Sequence, residues 1–255
     1  MTNKRQGFQC KQFTVLHDQC AMKVGTDSLI LGSLMDVSKA ASVLDIGTGC
    51  GILALMAAQK SAATSCVDAI EIDSSAAKQA NDNFRASPWP QKLTLYQAAF
   101  QTFCLPHRYD VIVSNPPYFS AVETSREAYA TLRASRNTAR HDDALSPEEL
   151  FSGAAQLLAE GGKLYCLYPF ARAQHAVHSA LLANMHLQAR TDIKATAQKA
   201  PHVAVFEFSR VENSQPVQKT LTIRHANNAY TDAFITLCRE FYLHFPDEPP
   251  AAHHN

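Results

Sequence analysis

Asn115-Pro116-Pro117-Tyr118, placed directly after the apolar run Val111-Ile112-Val113, carries residue types suited to work on a planar amine. A nitrogen attached to a planar ring or carbonyl shares its lone pair with the π system and attacks poorly. The carboxamide oxygen of Asn115 and the backbone carbonyl of Pro116 offer two acceptors for its two N–H hydrogens. Those bonds strengthen as the nitrogen becomes tetrahedral and positive, so they favour the transition state over the ground state. Proline at 116 fixes φ and so aims its carbonyl, and Tyr118 offers a face on which a planar group stacks. Asparagine is no strong base, so the proton leaves after the nitrogen has reacted. Nothing in this scheme asks for a metal. The same four residues could form a plain polyproline turn, and their place in the chain decides between the two.

A second stretch, Val43-Leu44-Asp45-Ile46-Gly47-Thr48-Gly49-Cys50-Gly51, runs straight into Ile52-Leu53-Ala54-Leu55-Met56. The chain has only nine glycines, and three of them fall within five residues here. Glycine tolerates positive φ and lets backbone approach a ligand with no Cβ in the way. The amides opening the next helix then face whatever the turn cradles. The spacing G-x-G-x-G differs from the dinucleotide fingerprint G-x-G-x-x-G. Asp45, two residues before the first glycine, would repel a pyrophosphate and attract an ammonium. S-adenosylmethionine (SAM), whose methionine end carries an amine, fits; Asp45, Gly47, Thr48, Gly49 and Gly51 are its candidate contacts, with Asn115 facing it. Its sulfonium methyl would be the electrophile for the planar amine.

Glu71 follows Gly51 by 20 residues, the place from which an acid accepts both hydroxyls of a ribose. Asp73 is its rival, with a second possible role as cap of a helix starting at Ser74. The stretch Gln97-Ala98-Ala99-Phe100 holds no acid to receive the cofactor's adenine amine, which leaves that contact to a backbone carbonyl. Thr26 or Asp27 can cap an apolar helix; Asp27 has the alternative of also closing the SAM pocket.

These residues need elements to position them. From residue 42 onward, strands and helices alternate: strands at 42–46, 66–72, 93–97, 109–114, 163–168, 187–194 and 203–210, with helices at 51–60, 74–85 and 171–184. Ser146-Pro147-Glu148-Glu149 reads as a capping box opening a further helix that runs to Gly161-Gly162. The pattern predicts an α/β, Rossmann-like doubly wound sheet of seven mostly parallel strands. Ligands sit at the carboxyl ends of such strands, where Asp45, Glu71 and Asn115 all lie. Residues 1–41 read as an extension, with a hairpin of residues 12–16 and 21–24 followed by a helix, packed on a domain of residues 42–245. Residues 246–255 read as a disordered tail.

With 46% hydrophobic and 18% charged residues the chain can bury a substantial core. Lys+Arg and Asp+Glu balance at 23 each, so no global positive field grips nucleic acid and any RNA contact must be local. Seven cysteines, an odd number without a C-x-x-C pair, argue against a disulfide framework or a metal site. The polar start has no signal-peptide core, and no run approaches the ~20 apolar residues of a membrane span. These features predict a soluble protein of the reducing cytoplasm. Arg126, Arg133, Arg136 and Arg140 would fall within about 80° of one another on a helix, a stripe ending in His141. It reads either as a phosphate-contacting strip for RNA or as a solvated face paired with Glu123, Asp142 and Asp143.

Together, the glycine turn and Asn115-Pro116-Pro117-Tyr118 resemble the class I SAM-dependent amino-methyltransferases. Met22-Lys23-Val24-Gly25-Thr26-Asp27, Ala139-Arg140-His141, and Tyr230-Thr231-Asp232-Ala233-Phe234 with Glu240-Phe241-Tyr242-Leu243 are similar to the bacterial tRNA (adenine-N6) methyltransferases. The resemblance spans residues 9–245. It implies methylation of the adenine 3′ of the anticodon in a valine tRNA, with Lys23, Gly25, Thr26 and Asp27 among the cofactor contacts. Ala99 departs from it, since an acid is expected there. A target base must leave its stack to reach Asn115, and an anticodon-loop adenine is already partly unpaired. The nearest alternative, an N5-glutamine methyltransferase acting on a translation release factor, shares the Asn-Pro-Pro-Tyr motif but usually carries a separate N-terminal helical domain. A DNA adenine methyltransferase and a non-catalytic RNA-binding module are further alternatives. No feature fixes an oligomeric state.

Overall fold

A computed structural model describes residues 7–104, 106–116 and 145–245. β1 (Gly7–Gln9) and β2 (Thr14–Leu16) pair antiparallel, and α1 (Thr26–Leu34) follows. Then β3 (Ser42–Ile46), α2 (Ile52–Lys60), β4 (Cys66–Glu71), α3 (Ser74–Ala86), β5 (Leu93–Gln97) and β6 (Tyr109–Ser114) alternate. After residue 144 come α4 (Pro147–Leu157), β7 (Leu158–Pro169), α5 (Ala173–Leu182), β8 (His186–Thr196), β9 (Val203–Ser209), β10 (Val217–Arg224) and α6 (Asp232–Cys238).

Eight of these strands form one sheet in the order β10-β8-β9-β7-β6-β3-β4-β5. Only β9 runs against its neighbours, pairing antiparallel with β7 and β8; all other pairings are parallel. The inner strands are apolar on both faces because both faces are covered. Leu29, Ile30, Leu31 and the run Ile52 to Ala58 pack on one side with Phe84 and Phe234. Phe151, Ala173, Ala176, Phe206 and Phe208 pack on the other. The strand order reverses between β3 and β6, so Asp45 and Asn115 end adjacent strands at the switch point, where such sheets bind ligands.

Several expectations need correction. The hairpin uses residues 7–9 and 14–16; residues 21–24 form no strand, because side chains claim their surroundings. The Val24 amide donates to His17 Nδ1 at 3.2 Å, and the Gln19 amide to Gln79 Oε1 at 2.9 Å. Gly25, in extended backbone, is the N-cap of α1, and no side chain caps it, so neither Thr26 nor Asp27 does. The helix opened by the capping box stops at Leu157, and Gly161, at φ +71°, lies within the strand that follows. There the register with β6 shifts between Tyr109 and Val111, a bulge that glycine permits. The eighth strand, β10, escaped notice because it is an edge: Val217, Gln218, Lys219 and Thr220 are exposed, and only Leu221 and Ile223 are buried. Pro117, Tyr118, Arg126, Arg133, Arg136, Arg140, His141 and the tail 246–255 lie outside the described residues.

Segments far apart in sequence close the fold. Cys10 bridges to Tyr242, and the Lys11 amide donates to the Phe241 carbonyl at 3.0 Å. Phe234, Tyr242, Phe245 and Tyr230 form an aromatic cluster beneath. Two lysines end helices from outside. Lys92 Nζ donates to Ala58 O at 2.6 Å and Ser61 O at 3.1 Å. Lys60 Nζ donates to Gly32 O at 3.1 Å, Ser33 O at 2.8 Å and Met35 O, satisfying carbonyls that the end of α1 leaves orphaned. Lys60→Met keeps the stem and removes the charge-assisted bonds, so we expect a loss of about 1.5–3 kcal/mol in urea denaturation.

Candidate active site

The glycine turn is bent across the end of β4. The amides of Gly47 and Thr48 both donate to the Ile70 carbonyl, at 2.9 and 3.0 Å. Gly47, Gly49 and Gly51 have φ of +68°, +56° and +89°, which side-chain-bearing residues adopt only under strain. Their surroundings differ. A Cβ on Gly51 would meet Phe84 Cε1 at 2.5 Å, whereas a Cβ on Gly47 or Gly49 would meet nothing within 4 Å among the described residues. Gly51 is therefore demanded by packing, and Gly47 and Gly49 border open space. Gly25 borders open space too. This is a cradle that side chains would fill.

Asp45 holds the turn from beneath. Its Oδ2 accepts from the Thr48 hydroxyl at 2.6 Å and from the Ala54 amide at 3.0 Å. Strand end, turn and first turn of α2 thereby share one carboxylate oxygen. Oδ1 is buried with no partner among the described residues. Burial, partly opposed by the Thr48 and Ala54 bonds, pushes the carboxyl up to about 7.

The two acids near the end of β4 divide their work. Glu71 Oε2 accepts from the Gly49 amide at 2.8 Å, which places its carboxylate against the turn, and Oε1 accepts from the Asp73 amide at 2.9 Å. Asp73 caps α3, taking the Ser75 and Ala76 amides at 3.0 and 2.8 Å. At the end of β5 the Ala99 carbonyl receives both the Thr102 amide and its hydroxyl, each at 3.2 Å. That fills the carbonyl that Ala99 could have offered an adenine amine.

Opposite the turn, Asn115 Nδ2 donates to Ser28 Oγ at 3.1 Å. Ser28 lies in the first turn of α1 and is buried. The bond turns the donor end of the amide toward α1. Ser114, one residue earlier, ties β6 to β3 through Oγ donating to the Ile46 carbonyl at 2.9 Å. Asp27 sits 3.4 Å from His202 Nε2, on the loop between β8 and β9. Lys23 is exposed in the segment leading to α1. The structure thus brings Asp45, Gly47, Thr48, Gly49, Gly51 and Glu71 to one turn, with Asn115 ending the next strand and Gly25, Thr26, Asp27 and Ser28 beside it.

Ser28 and His202 were not foreseen. A serine after a candidate cap carries no signal of its own, and His202 is 175 residues from its partner. Nor was the clamp on α3 foreseen. Asn83 Oδ1 accepts the Leu16 amide at 3.0 Å, and its Nδ2 donates at 2.8 Å to the carbonyls of both Leu16 and Cys50. One turn earlier, Gln79 accepts from Gln19 N and Cys20 Sγ. Together they fasten residues 16–20 against the glycine turn.

A glycine cradle at the switch point of a doubly wound sheet, with an asparagine ending the adjacent strand, defines a methyltransferase site. The family model of the methyltransferase small domain matches residues 19–195. A solved structure, a predicted O-methyltransferase from Agrobacterium tumefaciens, superposes with a TM-score of 0.64 at 14% identity, covering 84% of this chain and 96% of its own; that likeness concerns the fold. Sequence relatives narrow the class. The tRNA1(Val) (adenine(37)-N6)-methyltransferase of Tolumonas auensis is 41% identical over 92% of this chain and 96% of its own length. The protein of the same name from Edwardsiella ictaluri is 40% identical over 94% and 95%. The chain belongs to the methyltransferase small domain family, within the branch of the tRNA1(Val) (adenine(37)-N6)-methyltransferases.

Two tests follow from this geometry. Gly49→Ala meets only the strain of positive φ, about 1–2 kcal/mol, and should fold but lose SAM affinity in calorimetric titration. Gly51→Ala adds the clash with buried Phe84 and should cost about 2–5 kcal/mol, read as a much larger drop in melting temperature. Asp45 supplies the second. Its folded-state pKa lies above the ordinary 3.8, so the folded form holds the proton more tightly. Its contribution to stability is full below about pH 4 and declines as pH rises toward 7. Asp45→Asn should remove that part of the slope in a pH series of denaturation curves.

Proposed function

We propose that this protein methylates the N6 amine of an adenine in the anticodon loop of a tRNA, the base 3′ of the anticodon in a valine tRNA, in the cytoplasm, using SAM. The observation that carries the reading is the Asn115 carboxamide, oriented by Ser28 at the end of β6. It stands one strand away from a cradle that glycines keep clear. The names of the relatives support adenine over other planar amines.

The residues fit the cofactor. Gly47 and Gly49 would leave room for it, Glu71 would receive its ribose hydroxyls, and Lys23, Gly25, Thr26 and Asp27 would add further contacts. Asp45 serves mainly by fixing the turn, and its buried, unpartnered Oδ1 adds negative potential that favours a bound ammonium. SAM, when bound, supplies an electrophilic methyl carried on a sulfonium. Asn115 Oδ1 and the Pro116 carbonyl accept the two N–H hydrogens of the adenine amine. They draw its lone pair out of conjugation and stabilise the positive charge that develops on nitrogen. The surplus proton then passes to water, since the site needs no strong base. Tyr118 stacks on the extruded base, with Pro117 completing the motif. Arg126, Arg133, Arg136, Arg140 and His141 hold the RNA backbone.

The test offers labelled SAM to unmodified tRNA and, in parallel, to a recombinant release factor. Label should appear as N6-methyladenosine in tRNA; label on a glutamine would transfer the function to the protein-methylating alternative. Asn115→Ala should lower kcat by on the order of 10²–10³ with RNA and SAM binding nearly intact. Ser28→Ala, which leaves the amide in place but unfixed, should lower kcat by about tenfold at unchanged KM.

A further inference from the structure

The carboxyl edge of the sheet continues well past the site, and its charge differs from that of the chain as a whole. Residues 169–174, 193–204 and 222–231 form the ends of β7, β8 and β10 and the connections beyond them. They contain Arg172, Lys194, Lys199, His202, Arg224 and His225, and no Asp or Glu. In a chain with 23 acids and 23 Lys+Arg, that is a segregation of charge. The opposite edge carries Asp36, Asp110, Glu160 and Glu212 among its basic residues.

Register places these groups on one rim. Asn115 follows Ser114, which pairs with Cys166 of β7. Pro169, three residues further out than Cys166, pairs with Val203, and Val203 with Ile193. Thr196 in turn pairs with Arg224. At about 4.8 Å per strand, β9, β8 and β10 lie roughly 10, 14 and 19 Å to the side of β6. Hydrogen bonds join the pieces: the Phe170 amide donates to the His202 carbonyl at 2.9 Å, and the His202 amide to the Ile193 carbonyl at 3.0 Å. Arg224 Cζ lies over the Tyr230 ring, 3.9 Å from its centroid, with Nη1 donating to Asn228 O at 2.6 Å.

Arg172, Lys199, His202 and His225 are exposed. Of the nearby acids, Asp27 faces His202 and Glu148 faces His175, while among the described residues no ion pair engages Arg172 or Lys199. Asp192 is ion-paired with Arg190 at 2.6 Å, and Asp232 opens the next helix. At the inner end His202 meets Asp27, whose neighbour Ser28 holds Asn115.

We propose that this rim, formed by the ends of β7, β8 and β10, binds the phosphate backbone of the substrate RNA on the side of the site opposite the cofactor turn. The inference rests on the reading of the protein as an RNA methyltransferase and gives that RNA contacts in addition to those assigned to Arg126, Arg133, Arg136 and Arg140. A strip of separated cations with an aromatic beneath one guanidinium suits a polyanion that extends for several nucleotides. The track leads inward to Asn115.

The experiment measures binding of an anticodon-arm RNA by fluorescence anisotropy from 50 to 250 mM salt. It compares the wild type, Arg172→Ala/Lys199→Ala, and the control Lys39→Ala on the opposite edge. Each phosphate contact contributes about 0.7–0.9 to the slope of log Kobs against log[salt]. The double variant should lose about 1.5 from that slope and bind more weakly at every salt, with melting temperature and SAM affinity unchanged. Lys39→Ala should match the wild type. A double-variant slope equal to the wild type's, in an enzyme that still forms N6-methyladenosine, would overturn the rim and leave the activity standing. A wild type that forms none would overturn the reading on which the rim depends.

Discussion

A single carboxylate oxygen organises this molecule. Asp45 Oδ2 holds the Thr48 hydroxyl and the Ala54 amide, and the Ile70 carbonyl holds the amides of Gly47 and Thr48. The chain must leave β3, reverse, and enter α2 within five residues. It does so only because three of those residues tolerate positive φ and one buried acid ties the ends together. Burial of that acid destabilises its charged form, so the turn is held by a group that is itself costly to ionise. Everything that the cofactor reading needs depends on this arrangement, including the clear space at Gly47 and Gly49 and the seat of Glu71 against the Gly49 amide.

The substrate side depends on a different kind of constraint. Asn115 ends β6, but its orientation is set from α1, 87 residues earlier in the chain. Residues 7–34 are thus part of the site. The helix that holds the asparagine is in turn held by Lys60 at its far end and by α6, where Ser33 Oγ donates to Cys238 Sγ at 3.7 Å. Positioning is distributed, while the chemistry is confined to one amide and one carbonyl.

Local patterns in the sequence were enough to reveal most of this. The glycine spacing, the apolar runs of β3, β4 and β6, the capping box at Ser146 and the role of Asp73 as a cap all follow from neighbours within a few residues, and propensity and hydrogen-bond geometry act at that range. Contacts between distant segments were not legible. Ser28, His202, Gln79 and Asn83 acquire their roles from partners 33 to 175 residues away, and nothing in their own surroundings announces them. The hairpin was misplaced for the same reason: residues 21–24 have strand-like composition, yet side chains of His17 and Gln79 outcompete a pairing partner. β10 was missed because an edge strand with one solvated face needs few apolar residues. The helix at residues 147–157 was overextended because glycines at 161 and 162 look like a stop, whereas Gly161 makes a bulge in a strand already begun.

The pairing of Cys10 with Tyr242 and of Lys11 with Phe241 has a consequence for how the protein is made. During synthesis, residues 7–20 emerge well before their partners. Gln79 and Asn83 appear some 60 residues afterwards, and Phe241 about 230 residues after Lys11. At about 5–20 residues per second that segment waits, unsatisfied, for ten seconds or more. The sheet from β3 to β9 can assemble meanwhile, since its contacts are shorter in range. Docking of the hairpin therefore comes last. Because α1 also packs against α6, through Ser33 and Cys238, the nascent chain would possess a glycine turn before it possesses a correctly aimed Asn115.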